Sequence, residues 1–183
     1  MAINLVEIEQ TYHDAECLYT REQVEDAIKS MSVKINATLK DKNPLVISVL
    51  SGAIIPAGIL LSHLDFPLEI DYLHATRYRG TTQGQEIHWL AEPRNSLKDR
   101  VVLIVDDILD VGDTLKAIIE YCYQHGASKV YSAVLVKKIH DRNTDIDADF
   151  IGVETEDRYL FGFGMDYKEY LRNAPGIFAV KEV

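Results

Sequence analysis

Val24, Ala27, Ile28, Met31, Ile35 and Leu39 recur three and four residues apart, which places them on one face of a helix running to about Lys40. Just ahead of it, Thr20-Arg21-Glu22-Gln23 has the T-x-x-Q form of a capping box. After Asn43-Pro44, the apolar run LVISVL (45–50) has the length and composition of a buried strand. Ser51-Gly52 opens a second helical stretch carrying Ile54, Ile55, Gly58, Leu60 and Leu61, and FPLEIDYLHA (66–75) alternates as a strand does. VVLIV (101–105) is apolar on both faces, as central parallel strands are. Leu115, Ile118, Ile119 and Cys122 predict a helix from Gly112 to His125, with Gly126 as its stop signal. VYSAVLV (130–136), ADFIGV (148–153) and IFAV (177–180) predict further strands. The polar stretch from Thr76 to Arg94 has no sustained period and reads as a long mobile loop, with room for a hairpin at EIHWL.

Strand and helix alternate, so the chain is expected to be α/β, with a mainly parallel central sheet covered by helices on both faces. No internal repeat or low-complexity tract marks a boundary, and residues 1–183 read as a single domain. At 183 residues it is long enough to bury a core unaided, and its 47% hydrophobic and 26% charged fractions exclude wholesale disorder.

Charge narrows the function classes. With 19 Lys+Arg against 29 Asp+Glu, the net charge of −10 counts against a protein built to grip nucleic acid or an anionic membrane face. It also poses a problem for any phosphate site. Cys17 and Cys122 are far apart and lack CxxC spacing, which argues against a disulfide framework or structural zinc and fits a reducing cytosol. The first nineteen residues carry acids but no Lys or Arg, the opposite of a signal peptide, and no apolar run approaches a membrane span. A soluble cytoplasmic protein is expected.

The chemistry concentrates in VVLIVDDILDVGDTL (101–115), where a buried strand ends in Asp106-Asp107 and a helix begins after Asp110-Val111-Gly112-Asp113-Thr114. In open α/β sheets, ligands collect beyond the carboxyl ends of strands, where helix N-termini attract anions. Gly112 lets the backbone turn tightly, and Thr114 adds a hydroxyl. Any one of these aspartates alone would be read as a cap or a solvated turn residue. Four carboxylates in eight residues at the end of an apolar strand repel one another, and a cation, a donor-rich ligand or solvent must offset that. The stretch lacks the lysine and glycine spacing of a Walker A loop, and the chain has no GxGxxG.

This strand and turn resemble the phosphoribosyl pyrophosphate (PRPP) motif of the type I phosphoribosyltransferases. Leu50-Ser51-Gly52-Ala53 stands where the purine enzymes have their pyrophosphate loop, and Leu135-Val136-Lys137-Lys138 resembles the strand that carries their purine-contacting lysine. The segment 157–167 with Glu169-Tyr170 and Arg172 is similar to the hood of the hypoxanthine-guanine branch. The resemblance implies a type I phosphoribosyltransferase sheet plus a small hood formed by the N-terminal and 154–183 segments. It also implies a catalytic flap at about 76–94, Mg²⁺ as cofactor, and a homodimer or homotetramer.

On that resemblance, Asp106 and Asp107 would meet the ribose hydroxyls directly or through Mg²⁺, since carboxylates accept from vicinal hydroxyls and favour a hard cation. Residues Asp110, Val111, Gly112, Asp113 and Thr114 would cradle the 5′-phosphate, with the Asp113 side chain turned away. Asp110 would stand beside purine N7 as general base or proton sharer, and Tyr78 would act from the flap. Lys137 would donate to the 6-oxo group, Tyr159 would stack on the base, and the main chain around Leu160 and Asp166 would accept from a 2-amino group. Asp166 would also join Asp106 and Asp107 as a metal ligand. Ser51, Gly52 and Arg172 would bind pyrophosphate; Ser51 departs from the lysine common at its position, leaving the backbone N–H groups as donors. A strained Leu50–Ser51 peptide, cis or trans, is implied as well.

The activity implied is transfer of phosphoribose from PRPP to hypoxanthine or guanine, giving IMP or GMP and pyrophosphate. Its rivals are a xanthine-preferring 6-oxopurine enzyme, a PRPP-sensing regulator of the same fold that binds nucleic acid, and a plain Rossmann-like binding module. The regulator needs a basic face, which a charge of −10 without a Lys/Arg cluster opposes. The binding module would explain the sheet but not the ordered set of motifs.

Overall fold

A computed structural model of the chain describes residues 4–77, 87–142 and 146–181. In chain order the elements are α1 (Leu5–Asp14), β1 (Glu16–Thr20), α2 (Arg21–Leu39), β2 (Leu45–Leu50), α3 (Ile54–Leu61), β3 (Glu69–Arg77), β4 (Ile87–Ala91), β5 (Val101–Leu109), α4 (Asp113–Gln124), β6 (Lys129–Ile139), β7 (Phe150–Glu156), β8 (Leu160–Phe161) and β9 (Gly176–Ala179).

Six strands form the main sheet in the order β4-β3-β2-β5-β6-β7, parallel throughout except for the antiparallel β3–β4 pair. β5 lies between β2 and β6, and its apolar residues are covered on both faces. Leu103 and Val105 pack among residues of α2, α3 and the small sheet, whereas Val102 and Ile104 pack with Leu115, Ile118 and Cys122 of α4. The expected α/β class, with helices on both faces of a mainly parallel sheet, is the one observed. Burial pushes the Cys122 thiol up to about 11, while Cys17 is an exposed free thiol.

The capping box at Thr20 is made in both directions. The Gln23 N–H donates to Thr20 Oγ1 at 3.4 Å, and the Thr20 N–H donates to Gln23 Oε1 at 2.9 Å. It starts α2, whose Val24, Ile28, Met31, Ile35 and Leu39 are buried as their spacing predicts.

A second sheet, β1-β9-β8, is antiparallel and joins the beginning of the chain to its end, with Glu16 opposite Ala179 and Thr20 opposite Gly176. It is the hood over the carboxyl end of the main sheet. α1 leans on it through Tyr12, whose ring meets Phe161 and Phe178 edge-on at 6.0 and 5.3 Å between centroids. Neither α1 nor β1 is anticipated by the pattern, because α1 buries only Ile8 and β1 lacks a clean alternation.

The loop expected over 76–94 is partly strand. β3 continues to Arg77, and Ile87 pairs opposite it to begin β4. The strand falls where a hairpin at EIHWL is expected, and β4 is an edge strand with one partner. Tyr78 lies outside the described residues.

Candidate active site

β5 changes character midway. Its apolar half lies in the core; then Asp106 and Asp107 follow while the strand is still paired with β6. Beyond Leu109 the chain turns at Asp110-Val111-Gly112, and Gly112 adopts φ 98° at the N-cap of α4. This left-handed conformation suits glycine and aims the N-terminus of α4 at the space beyond the sheet.

That space is a cleft of about 450 Å³. Ser51 and Gly52 from the end of β2, Asp106, Asp107, Asp110, Val111, Gly112 and Thr114 from the β5–α4 passage, and Asp166 and Arg172 from the hood all line it. The fold thus brings together residues from three separated stretches that the sequence reading assigned to one site. Glu169, part of the hood resemblance, lines it as well, as does His74 of β3, which carries no sequence signal of its own. Asp113 opens α4 without lining the cleft. Lys137, Tyr159 and Leu160 also stand outside this lining. Leu160 is buried in β8, and Tyr159 is exposed, edge-on to Tyr167 at 5.6 Å.

The approach of loop and strand is close. The Leu50–Ser51 peptide is cis. A Cβ placed on Gly52 would lie 2.0 Å from Asp107 Oδ2, so only glycine lets that carboxylate lie against the loop. The hood closes on the same point: Gly164, at φ +109°, would bring a Cβ within 1.9 Å of the Gly52 carbonyl oxygen. Arg172 ties the hood turn together, donating to the Gly164 carbonyl at 2.8 Å and pairing with Asp166 at 2.9 Å.

Asp106 and Asp107 are adjacent carboxylates in a dry place. Burial, then the charge of Asp107, pushes the Asp106 carboxyl well above the usual range. Burial also raises Asp107, opposed by a hydrogen bond from Asp106 and by the Arg172 guanidinium. A pair in this condition is relieved by hydroxyl donors or by a hard cation.

Asp110 has partners that the sequence does not disclose. His140 Nε2 lies 2.7 Å from Asp110 Oδ1, Lys138 Nζ 3.5 Å from Oδ2, and Arg142 Nη2 3.9 Å from Oδ1. Lys138 and Arg142 also reach Asp157, Lys138 at 3.4 Å. One ligand atom each of Asp110, His140 and Asp157 falls within 4.8 Å of the others, which is metal-like spacing. Two cationic side chains, however, already serve both carboxylates. Lys137, one residue from Lys138 on the strand, turns to Asp147 at 2.6 Å. The adjacent basic residues in Lys137-Lys138 were the available signal for a cation here; nothing local marks His140.

The chain matches the phosphoribosyl transferase domain family over residues 14–169. It is 34% identical over 166 residues to the hypoxanthine-guanine phosphoribosyltransferase of Streptococcus agalactiae serotype V, spanning 90% of this chain and 92% of that one. It is 31% identical to the hypoxanthine-guanine-xanthine phosphoribosyltransferase of Tritrichomonas foetus, over 90% of this chain and 91% of the relative. The crystal structure of a hypoxanthine phosphoribosyltransferase from Staphylococcus aureus superposes with a TM-score of 0.87 at 28% identity, covering 93% of this chain and 94% of that one.

Proposed function

The chain belongs to the phosphoribosyl transferase domain family, and from that premise we propose that it is a purine salvage enzyme joining the phosphoribosyl group of PRPP to N9 of hypoxanthine or guanine. IMP or GMP and pyrophosphate are the products. The observation that carries this reading is the convergence of the Asp106–Thr114 turn, the Ser51-Gly52 loop and the Asp166/Arg172 hood on one cleft.

In this reading the N9–C1′ bond forms as the bond from C1′ to pyrophosphate breaks, and Asp110 takes or shares the N7 proton. Asp106 and Asp107 accept from the ribose hydroxyls. The backbone of 110–114 and the N-terminus of α4 hold the 5′-phosphate, with the Thr114 hydroxyl beside them. Ser51 and Gly52 offer backbone N–H groups to pyrophosphate, and Arg172 supplies positive charge there. The resemblance assigns Tyr78, outside the described residues, to a flap whose purpose would be to keep water from the transfer. Tyr159 stacks on the base, with the main chain of Leu160 and Asp166 near its 2-position.

Mg²⁺ fits Asp106 and Asp107, whose adjacent carboxylates repel in a place of low solvation and are the hard oxygen donors such an ion takes, with Asp166 lining the same cleft as a third carboxylate. When bound it offsets the charge of the pyrophosphate. Self-association into a homodimer or homotetramer belongs to the same proposal. Ile54, Ile70 and Tyr72 are exposed and line one groove, an apolar face that a second copy would cover. A reducing cytosol suits the two free cysteines. No helix among the described residues is long and apolar enough to cross a membrane.

The test is an absorbance assay with PRPP, Mg²⁺ and hypoxanthine, guanine, xanthine or adenine in turn. Turnover is expected with hypoxanthine and guanine and not with adenine, whose amino group offers a donor where the site requires an acceptor. Absence of turnover with every 6-oxopurine overturns the proposal. A second reading, use of xanthine as well, is favoured by the similarity to the T. foetus enzyme, and the xanthine arm decides it.

Lys137 is the proposed donor to the 6-oxo group. It is the register partner of Leu109, which lines the cleft, and it pairs with a largely exposed Asp147. With the Asp147 side of the pair open to solvent, the pair contributes about 0–1 kcal/mol, so exchanging it for a purine oxygen costs little. Lys138, by contrast, is held by two carboxylates. Lys137→Ala is expected to raise KM for hypoxanthine about tenfold while leaving KM for PRPP within about twofold, a loss the size of one charged hydrogen bond. Steady-state kinetics with each substrate varied reads the difference, and equal changes in both constants would remove Lys137 from the base subsite.

A further inference from the structure

The partners of Asp110 include a histidine whose protonation state follows from its own hydrogen bonds. The Arg142 N–H donates to His140 Nδ1 at 3.1 Å, so Nδ1 is an acceptor and the ring proton resides on Nε2. Nε2 is then the donor in the 2.7 Å contact with Asp110 Oδ1. The imidazole is only 6% exposed, whereas the Asp110 side chain is 44% exposed and lines the cleft. One carboxylate oxygen is therefore held by a buried neutral donor, while the side chain remains open to a ligand. The turn that carries His140 follows β6, whose Lys137 is in register with Leu109, and this pairing brings the turn over Asp110. Asp157 and the cations Lys138 and Arg142 complete the surroundings and hold the turn from the other side.

We propose that His140 is a positioning residue for phosphoribosyl transfer: its Nε2–H fixes Oδ1 of Asp110, so that the rest of the carboxylate is presented in one orientation to the purine. The inference rests on the reading of Asp110 as the group beside N7. A carboxylate free to rotate spends much of its time with its lone pairs misdirected, and alignment at the reacting atoms carries large rate factors. A cation held by Asp110, His140 and Asp157 is the weaker alternative, because Lys138 and Arg142 already supply positive charge to both carboxylates.

The experiment compares full-length wild type with His140→Phe, His140→Gln, Asp110→Asn and the double variant, using hypoxanthine and PRPP-Mg. Phe keeps a planar ring without a donor; the Gln amide offers an N–H near the position of Nε2. His140→Phe is expected to lower kcat about 10- to 100-fold, the range seen when a hydrogen-bonding support of an active-site group is removed, with KM for PRPP within about twofold. His140→Gln is expected to recover kcat to within about fivefold of wild type, and His140→Phe added to Asp110→Asn to cost less than about twofold more. If Phe is not accommodated, as thermal melting would show, His140→Asn replaces it, its shorter amide withdrawing the donor. A slow Asp110→Asn alongside a donorless His140 variant at wild-type kcat overturns the role of His140 and leaves Asp110 standing. Wild-type turnover in Asp110→Asn overturns both. Equal losses in the Gln and donorless variants also overturn the proposal.

Discussion

Asp110→Asn is expected to lower kcat by about 10²- to 10³-fold, within the range for loss of a positioned general base, while KM for PRPP changes by less than about threefold. The amide is nearly isosteric with the carboxylate, so the turn leading to Gly112 and α4 should keep its course. What is lost is the capacity to take a proton from N7 as N9 attacks. His140 Nε2–H and Lys138 Nζ face the two Asp110 oxygens as donors. In the variant, one of them meets an NH₂ group, which adds a local mismatch to the loss of the base. Single-turnover measurements with enzyme in excess isolate the transfer step from product release. A variant whose transfer step stays within about threefold of wild type would remove Asp110 from the chemistry and return it to the role of a turn residue.

Gly52→Ala is expected to disable the site with a single methyl group. Its Cβ would fall 2.0 Å from Oδ2 and 2.3 Å from Cγ of Asp107, well inside contact distance. The Asp107 carboxyl is hydrogen-bonded to that of buried Asp106 and lies near the Arg172 guanidinium, contacts it would give up on withdrawing. The loop is confined from above as well, because the Gly52 carbonyl lies directly under Gly164. Either Asp107 leaves the position from which it would meet the ribose, or the loop lifts and parts from the hood. A displacement near 1 Å at such a site costs on the order of 100-fold, so kcat/KM for PRPP should fall by about that factor or more. Overpacking of this kind also lowers stability by about 1–3 kcal/mol. Kinetics together with urea denaturation separate the two effects, and a stable variant with unaltered kcat/KM would show that Asp107 does not serve from this position.

Much of the scaffold was legible because its signals are local. LVISVL, VVLIV and VYSAVLV are short, largely apolar runs that become β2, the first half of β5 and most of β6. The periodic positions of α2 and the capping box at Thr20 are equally local, and both are realised. The acidic turn was legible for a different reason: repelling carboxylates at the end of a buried strand require an external partner, whatever surrounds them. The first strand of the hood was hidden. β1 spans only Glu16–Thr20 and is specified by pairing with β9 near the other end of the chain, which no window of sequence contains. β4 was legible only as room for a hairpin at EIHWL, because its partner β3 is an edge-side neighbour that the local pattern does not identify.

At the site the division follows the same physics. The net charge of −10 first stood against a phosphate substrate, yet the acids converge on the places proposed for ribose hydroxyls and Mg²⁺, with the N-terminus of α4 and Arg172 placed for the phosphates. The sequence by itself determined the strand, the acidic turn and the helix that follows, because hydrophobic period, glycine and charge repulsion act over a few residues. Tertiary structure alone decided that Gly52 would lie against Asp107, that Gly164 would close over Gly52, and that His140 would donate to Asp110 while Lys137 turned to Asp147. Those contacts arise where strand ends and the hood meet, and their geometry is set by sheet register and close packing between segments distant along the chain.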